Sequence, residues 1–370
     1  MPSLRRLLSS LRWAAFPAAV FLFTRAAILA FTSWSLRMDP RLHFDGPKLL
    51  EVPSLGGLCR WDCLYYTHIA LEGYREPFWT NFFPLFPLLG KGLSLLTGLS
   101  VPIALVLLAN LAGLGALLAV YRLFLEAEGE EAARAGLALF AAFPFAFFQA
   151  AGYPESLMVL TSALAVLLAL RGRHIAAGGV LGLGVLARHL TLVAGLSLLA
   201  AQLRERGIHP RRFLLHPAFL GLVLPLGCAS LYMLYLGLSR GEPFAWWTHR
   251  NEGWGELAWF GLGDLLHGKA LPLEVYLYVL FSLVPGVGAV LLVREPRWRV
   301  LAAFAVGLML TIWAVGLAGL GRYSASCWPA FLPLGVWLSR RPSLLMPCVC
   351  ASALLQGLFL YLFAHWYNIN

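Results

Sequence analysis

The chain of 370 residues is 60% hydrophobic and only 12% charged, with a mean hydropathy of +0.75. A water-soluble domain is about 45–50% apolar and about 25% charged, so a soluble core cannot hide this surplus and lipid must solvate much of the chain. The net charge of +10 comes from 28 Lys and Arg against 18 Asp and Glu. The basic residues sit mostly in short connectors between apolar runs, which favours topology charge over a nucleic-acid surface.

In chain order, Arg5, Arg6 and Arg12 precede an apolar run from Trp13 to about Trp34. It lacks a small-residue cleavage pattern and reads as a retained first helix carrying Arg25. Residues 35–98 form the first outer loop. Its stretch 82–98 is apolar but broken by Pro84, Pro87, Gly90 and Lys91, and reads as an interfacial or re-entrant segment. With the first run at 13–34, further spans are expected at 100–122, 135–152, 155–171, 175–187, 190–201, 213–238, 271–293, 300–320, 325–339 and 343–363. The fold class is therefore all-α, a polytopic membrane helix bundle of about 9–11 transmembrane helices. Residues 1–370 form a single integral membrane domain without an internal repeat.

With the N-terminus inside, the short inner connectors carry Arg122 and Arg134, Arg171 and Arg173, Arg204, Arg206, Arg211 and Arg212, Arg294, Arg297 and Arg299, and Arg340 and Arg341. Glu126, Glu128, Glu130 and Glu131 read as a solvated connector. The outer side receives the long loops. Lys occurs only at 48, 91 and 269, an Arg bias that points to a prokaryotic plasma membrane. Residues 175–201 run between two inner Arg clusters and carry Arg188 and His189 in the middle. They read as two half-spans meeting at a polar point, a break tolerated where it lines a cavity.

Six Cys are scattered; Cys59 and Cys63 flank Arg60-Trp61-Asp62, where a disulfide is open but not demanded by the spacing. The nine His show no metal-ligand spacing, so no protein-built metal site is expected. Ionisable groups at membrane depth are expensive and mark function or a buried ion pair. On the outer side, helical spacing puts Asp62, Tyr66 and Ile69 on one face. Trp61, His68 and the following Phe-rich run supply an aromatic surface that suits a sugar or a phosphate, although aromatic belts are common at interfaces. Glu155 follows Tyr153-Pro154 at a helix start, where the dipole also favours it. Arg188, Arg322 beside Tyr323, and Arg25 can all approach the outer half of the bilayer. The 239–270 loop adds Trp246, Trp247, His249, Arg250 and Trp254, with Trp246 and Trp247 read first as interface anchors.

The run Arg60-Trp61-Asp62, Tyr65-Tyr66, Ile69-Ala70, Gly73-Tyr74 and Phe82-Phe83-Pro84-Leu85-Phe86-Pro87 resembles the PIG-V type mannosyltransferases, integral membrane enzymes of the GT-C glycosyltransferase superfamily. Phe143-Pro144-Phe145 and Tyr153-Pro154-Glu155-Ser156 resemble that family's Tyr-x-Glu-Ser turn. Gly182-Leu183 to Arg188, Phe244 to Trp254, and Arg322-Tyr323 follow in the expected order. Two places depart from the pattern: His189 stands where the family usually has Pro or a small residue, and Thr248 or His249 where it typically has Gln.

The resemblance implies a GT-C bundle and a polyprenyl-phosphate sugar donor, with mannose as the sugar. Its catalytic carboxylate is Asp62, with Asp45 in reserve. Arg188, Arg322, Arg25 and Arg60 are the expected donor-phosphate ligands. Trp61, Tyr66, His68, Glu155, His189, His249, Trp254 and Tyr323 are the expected substrate contacts. No cofactor is expected beyond a loosely bound divalent cation. Expected partners are the donor, a lipid or glycan acceptor, and membrane lipids, with the site facing outside. The competing class is a lipid or glycan transporter or flippase, which broken helices and intramembrane Arg also suit.

Overall fold

The computed structural model describes residues 12–42, 52–207, 210–250, 252 and 261–369. Asp45 and Trp254 lie outside the described residues. All regular structure among those residues is helical, and six helices are long and apolar enough to cross a membrane: Arg12–Met38, Val101–Ala142, Pro217–Arg240, Leu273–Arg294, Pro296–Val315 and Pro342–Ala364.

The remaining apolar helices are shorter than a bilayer. Glu155–Leu170 and His174–Ala187 have 16 and 14 residues, about 24 Å and 21 Å of helix against a core of about 30 Å. Gly195–Arg206 and Phe331–Ser339 are shorter still. Helix Val101–Ala142, by contrast, is long and ends before Pro144. Two of the shorter helices have an end at a polar residue: Glu155–Leu170 begins at Glu155, and His174–Ala187 ends before Arg188.

Two expected segments take a definite form. The connector expected between 122 and 135 is a kink at Gly129, whose φ of 79° suits glycine and which joins two helices within Val101–Ala142. The acidic patch there is not merely solvated. Glu126 holds Arg122 at 2.6 Å and Arg171 at 2.8 Å, and Glu128 accepts from Trp298 Nε1 at 2.8 Å. The apolar stretch after Pro84 forms helix Leu85–Thr97, about 20 Å long and too short to span. Leu88, Leu95 and Leu96 are exposed on it.

Small residues let the helices approach. A side chain at Gly178 would run into the backbone of Gly221, and one at Gly335 into that of Gly136. This is the close packing that joins helices where lipid offers no hydrophobic drive between them.

Candidate active site

Asp62 is the first residue of helix Asp62–Glu72 and is 2% exposed. Its entry turn is unusual. Trp61 sits at φ 48°, ψ −114°, a region that costs a non-glycine residue about 1–3 kcal/mol and persists only where the surroundings enforce it. Those surroundings are present. A Cys59–Cys63 disulfide closes the turn across a Cα–Cα distance of 5.1 Å. The Asp62 backbone N–H donates to Tyr153 Oη at 3.1 Å, and that hydroxyl donates to the Arg60 carbonyl at 3.1 Å. The Trp61 ring meets the edge of Trp366, with centroids 5.4 Å apart. Burial pushes the Tyr153 and Tyr66 phenols well above their usual value, so both stay protonated.

Arg322 faces Asp62 from the short helix Leu320–Ser324. Its Nη1 donates to Asp62 Oδ2 at 2.6 Å, its Nη2 donates to Tyr323 Oη at 3.1 Å, and its Nε lies 3.3 Å from Glu155 Oε1. The rings of Tyr323, Tyr153 and Phe148 surround the guanidinium at 5.0, 5.4 and 5.7 Å. Burial raises the Tyr323 phenol, but Arg322 and Arg188 outweigh it and bring the group below its ordinary value.

Arg188 marks the broken span. Helix His174–Ala187 stops, Arg188 is extended at φ −159°, ψ 121°, and a 3-10 turn His189–Ala194 follows. The freed side chain donates from Nη1 to Glu155 Oε1 at 2.5 Å and lies 4.6 Å over the Tyr323 ring. Glu155 itself, at the N-terminus of its helix, is 1% exposed. One of its oxygens thus serves both arginines. The other, Oε2, and Asp62 Oδ1 are buried without a hydrogen-bond partner.

These groups border a cavity of about 290 Å³. Trp61, Asp62, Tyr66, Arg188, His189, Arg322 and Tyr323 line it. So do Asn81, Phe83, Trp246, Arg250, Gly319 and Asn368, of which only the aromatic and Arg residues had a sequence signal. Counting Glu155 behind the wall, three arginines (188, 250, 322) face two carboxylates (62, 155), one net positive charge among the described residues. That balance suits an anionic ligand.

Several expected contacts lie elsewhere. Arg25 does not line the cavity: its Nη2 donates to the Gln149 carbonyl at 3.3 Å, and its guanidinium lies over Phe21. Arg60 turns away from Asp62, donating from Nε to the Ala364 carbonyl at 2.9 Å and lying 4.9 Å over Trp366. Burial lowers its pKa to about 10, so it stays charged. His68 is six residues after Asp62, about 240° round the helix; it stacks on Trp79 at 5.5 Å and faces Glu72 at 3.4 Å. His249 is taken by Glu252 at 2.6 Å and Glu242 at 2.9 Å. Glu155 is a buried ion-pair hub behind the wall, not a lining residue.

The fold has solved relatives. The chain is similar to the archaeal oligosaccharyltransferase AglB from Archaeoglobus fulgidus in complex with an inhibitory peptide and a dolichol-phosphate. The TM-score is 0.51 at 15% identity, over 94% of this chain and 55% of that one. It is also similar to the Archaeoglobus fulgidus oligosaccharyltransferase in complex with Zn and sulfate. There the TM-score is 0.50 at 17% identity, over 94% of this chain and 53% of that one. The chain shares the all-α membrane-bundle fold of these proteins. The chain spans about half the length of these proteins, and at such identities the likeness is one of fold. No family model matches the sequence, and no curated protein matches it. Among the described residues, no three His, Cys, Asp or Glu side chains converge as a metal site would require.

Proposed function

We propose that the protein is a membrane glycosyltransferase that moves a sugar, mannose in the first instance, from a polyprenyl-phosphate donor to an acceptor hydroxyl on the extracytoplasmic face. The observation that carries this reading is Asp62: a buried carboxylate with one oxygen held by Arg322 and the other unpartnered, on the wall of a cavity that Arg188 and Arg322 also line. The GT-C-type fold supports glycosyl transfer. AglB with its dolichol-phosphate supports a lipid-linked donor by analogy of fold. The Cys59–Cys63 disulfide supports an oxidising, outward face.

In the proposed step the acceptor oxygen gives its proton to Asp62 Oδ1 and attacks the anomeric carbon from the side opposite the phosphate. The bond from that carbon to the phosphate oxygen breaks, and its electron pair leaves with the polyprenyl phosphate. This single displacement inverts the anomeric centre. Arg188, Arg322 and Arg250 supply fixed positive charge for the leaving group, preorganised by Glu155 and the aromatic rings. The proposal includes no metal-dependent step.

The test is Asp62→Asn in reconstituted vesicles supplied with polyprenyl-phosphate mannose and the natural lipid pool. General base catalysis is worth about 10²–10⁴-fold, and turnover is expected to fall by that much while donor binding persists. Near-wild-type turnover in Asp62→Asn would sink the assignment. Complete loss in EDTA with recovery on Mg²⁺ or Mn²⁺ would sink its metal independence.

A further inference from the structure

The cavity has an aromatic corner that the reaction centre does not use. Phe83 precedes helix Leu85–Thr97, His189 follows the break at Arg188, and Trp246 comes from the short helix Ala245–Thr248. Their rings meet one another: the centroids are 5.4 Å apart for Phe83 and His189, 5.5 Å for His189 and Trp246, and 5.8 Å for Phe83 and Trp246. Phe83 and Trp246 pack with Tyr232 in a small apolar cluster separate from the main core. All three corner residues line the cavity.

The corner is apolar except for the ring nitrogens of His189 and the Trp246 indole N–H. Trp246 Nε1 is buried and has no hydrogen-bond partner, and Trp61 Nε1, on the wall beside Asp62, is in the same condition. Buried donors are nearly always paired, because an unpartnered one loses its water without compensation. Two such donors on one cavity wall mark where a ligand brings acceptors. An alkyl chain would leave both unpaired, and a phosphate would meet an aromatic wall. A pyranose ring offers what this corner lacks: an apolar C–H face to lie on an indole and a rim of hydroxyls to accept from it.

We propose that Trp246, with Phe83 and His189, forms a subsite for a neutral hexopyranose ring, which packs on the indole and accepts its N–H through a hydroxyl. This rests on the glycosyl-transfer reading and adds to it the place where a sugar is held. The ring belongs either to the donor or to the acceptor; the recognising chemistry is the same.

The test reads binding first, without turnover. Saturation-transfer NMR of the full chain in nanodiscs, with methyl hexopyranosides as probes, is expected to show contact with the wild type. Trp246→Phe keeps an aromatic ring and deletes the donor, so affinity should drop about three- to tenfold, the worth of one hydrogen bond. Trp246→Ala should lose the signal, and Trp337→Phe, an exposed indole outside the cavity lining, should keep it. If Trp246→Ala fails to fold, the comparison of wild type with Trp246→Phe decides. No sugar signal on the wild type, or unchanged affinity in Trp246→Phe, overturns the subsite. In the vesicle assay, a KM raised for the donor alone assigns the ring to the donor, and one raised for the acceptor alone to the acceptor. Should the wild type bind hexopyranosides through Trp246 yet transfer no sugar from any polyprenyl phosphate, the glycosyl-transfer reading fails and the subsite stands.

Discussion

Glu155 shows what a single residue can do behind a site. Its Oε1 is shared by Arg188 and Arg322, and its side chain is 1% exposed. Among the described residues, Glu155→Ala would leave the buried Arg188 without its carboxylate and Arg322 with Asp62 alone. Breaking a buried pair this way costs about 3–5 kcal/mol, which a thermal melt in detergent would register as a large fall in Tm. Arg188→Ala should cost less, because Glu155 keeps Arg322. Equal losses in the two variants would contradict a shared hub. This role was not legible in the sequence. A Glu at a helix start looks the same whether it caps the helix, meets a ligand or gathers arginines from distant parts of the chain. Asp62 was more legible, because a carboxylate inside an aromatic run has no place in an interface belt. Arg25 and Arg60 show the limit of that logic: an Arg beside apolar residues announces that it needs a partner, but not in which direction the partner lies.

At the scale of elements, the turn into helix Asp62–Glu72 is the part most dependent on its fastenings. The disulfide closes a ring of only a few residues, so its chain-entropy contribution is about 2 kcal/mol. Its larger effect should be on the aim of Asp62, held beyond the strained Trp61. Replacing both Cys59 and Cys63 with Ser is expected to lower Tm modestly but to cut turnover about tenfold to a hundredfold, as a small misplacement of a reacting group does. A double variant with full turnover would show that Tyr153 and Trp366 suffice. A second element has its own pH response. Glu252 and then Glu242 hold the half-buried His249 and raise its pKa above 6.5. A raised pKa means that the contribution to loop order is complete below 6.5 and is lost as pH rises through the folded value. Limited proteolysis after residue 240 should therefore accelerate on the alkaline side of 6.5, and His249→Gln should abolish that dependence. The breaks at Pro154 and at the polar Arg188 were readable, whereas the stop at Ala142, before Pro144, falls inside the expected 135–152 span. The ties that hold the connector around Gly129 were not legible, since four glutamates in a connector resemble any solvated loop until their arginine partners are known.

Across the whole molecule, the helix ends sort onto two sides. On one, Glu126 ties Arg122 to Arg171, Glu128 meets Arg297 and Trp298, and Arg122 lies over Trp13. Connectors far apart in sequence are thus clamped together, and they are the Arg-rich ones that the positive-inside rule assigns to the cytoplasm. On the other, Arg60 reaches Ala364, His365 and Tyr361 bind Asp39, and Arg240 bonds the Tyr74 carbonyl. The cavity belongs to this second side, where the first loop, the loop after residue 240 and the C-terminal segment close over the shortened helices. Sidedness of charge was legible because topology needs only a count of Arg; the closure was not, because Trp366 and Asn368 carry no motif. If the second side faces out, Arg75→Cys, in the first loop and exposed, should react with a membrane-impermeant maleimide on intact cells. Arg173→Cys, exposed on the clamped side, should react only after lysis. Both are best made with Cys348 and Cys350, the exposed free thiols, replaced by Ala. The reversed pattern would place Asp62 against the cytoplasm, where glutathione opposes the disulfide, and the extracytoplasmic donor reading would fall with it.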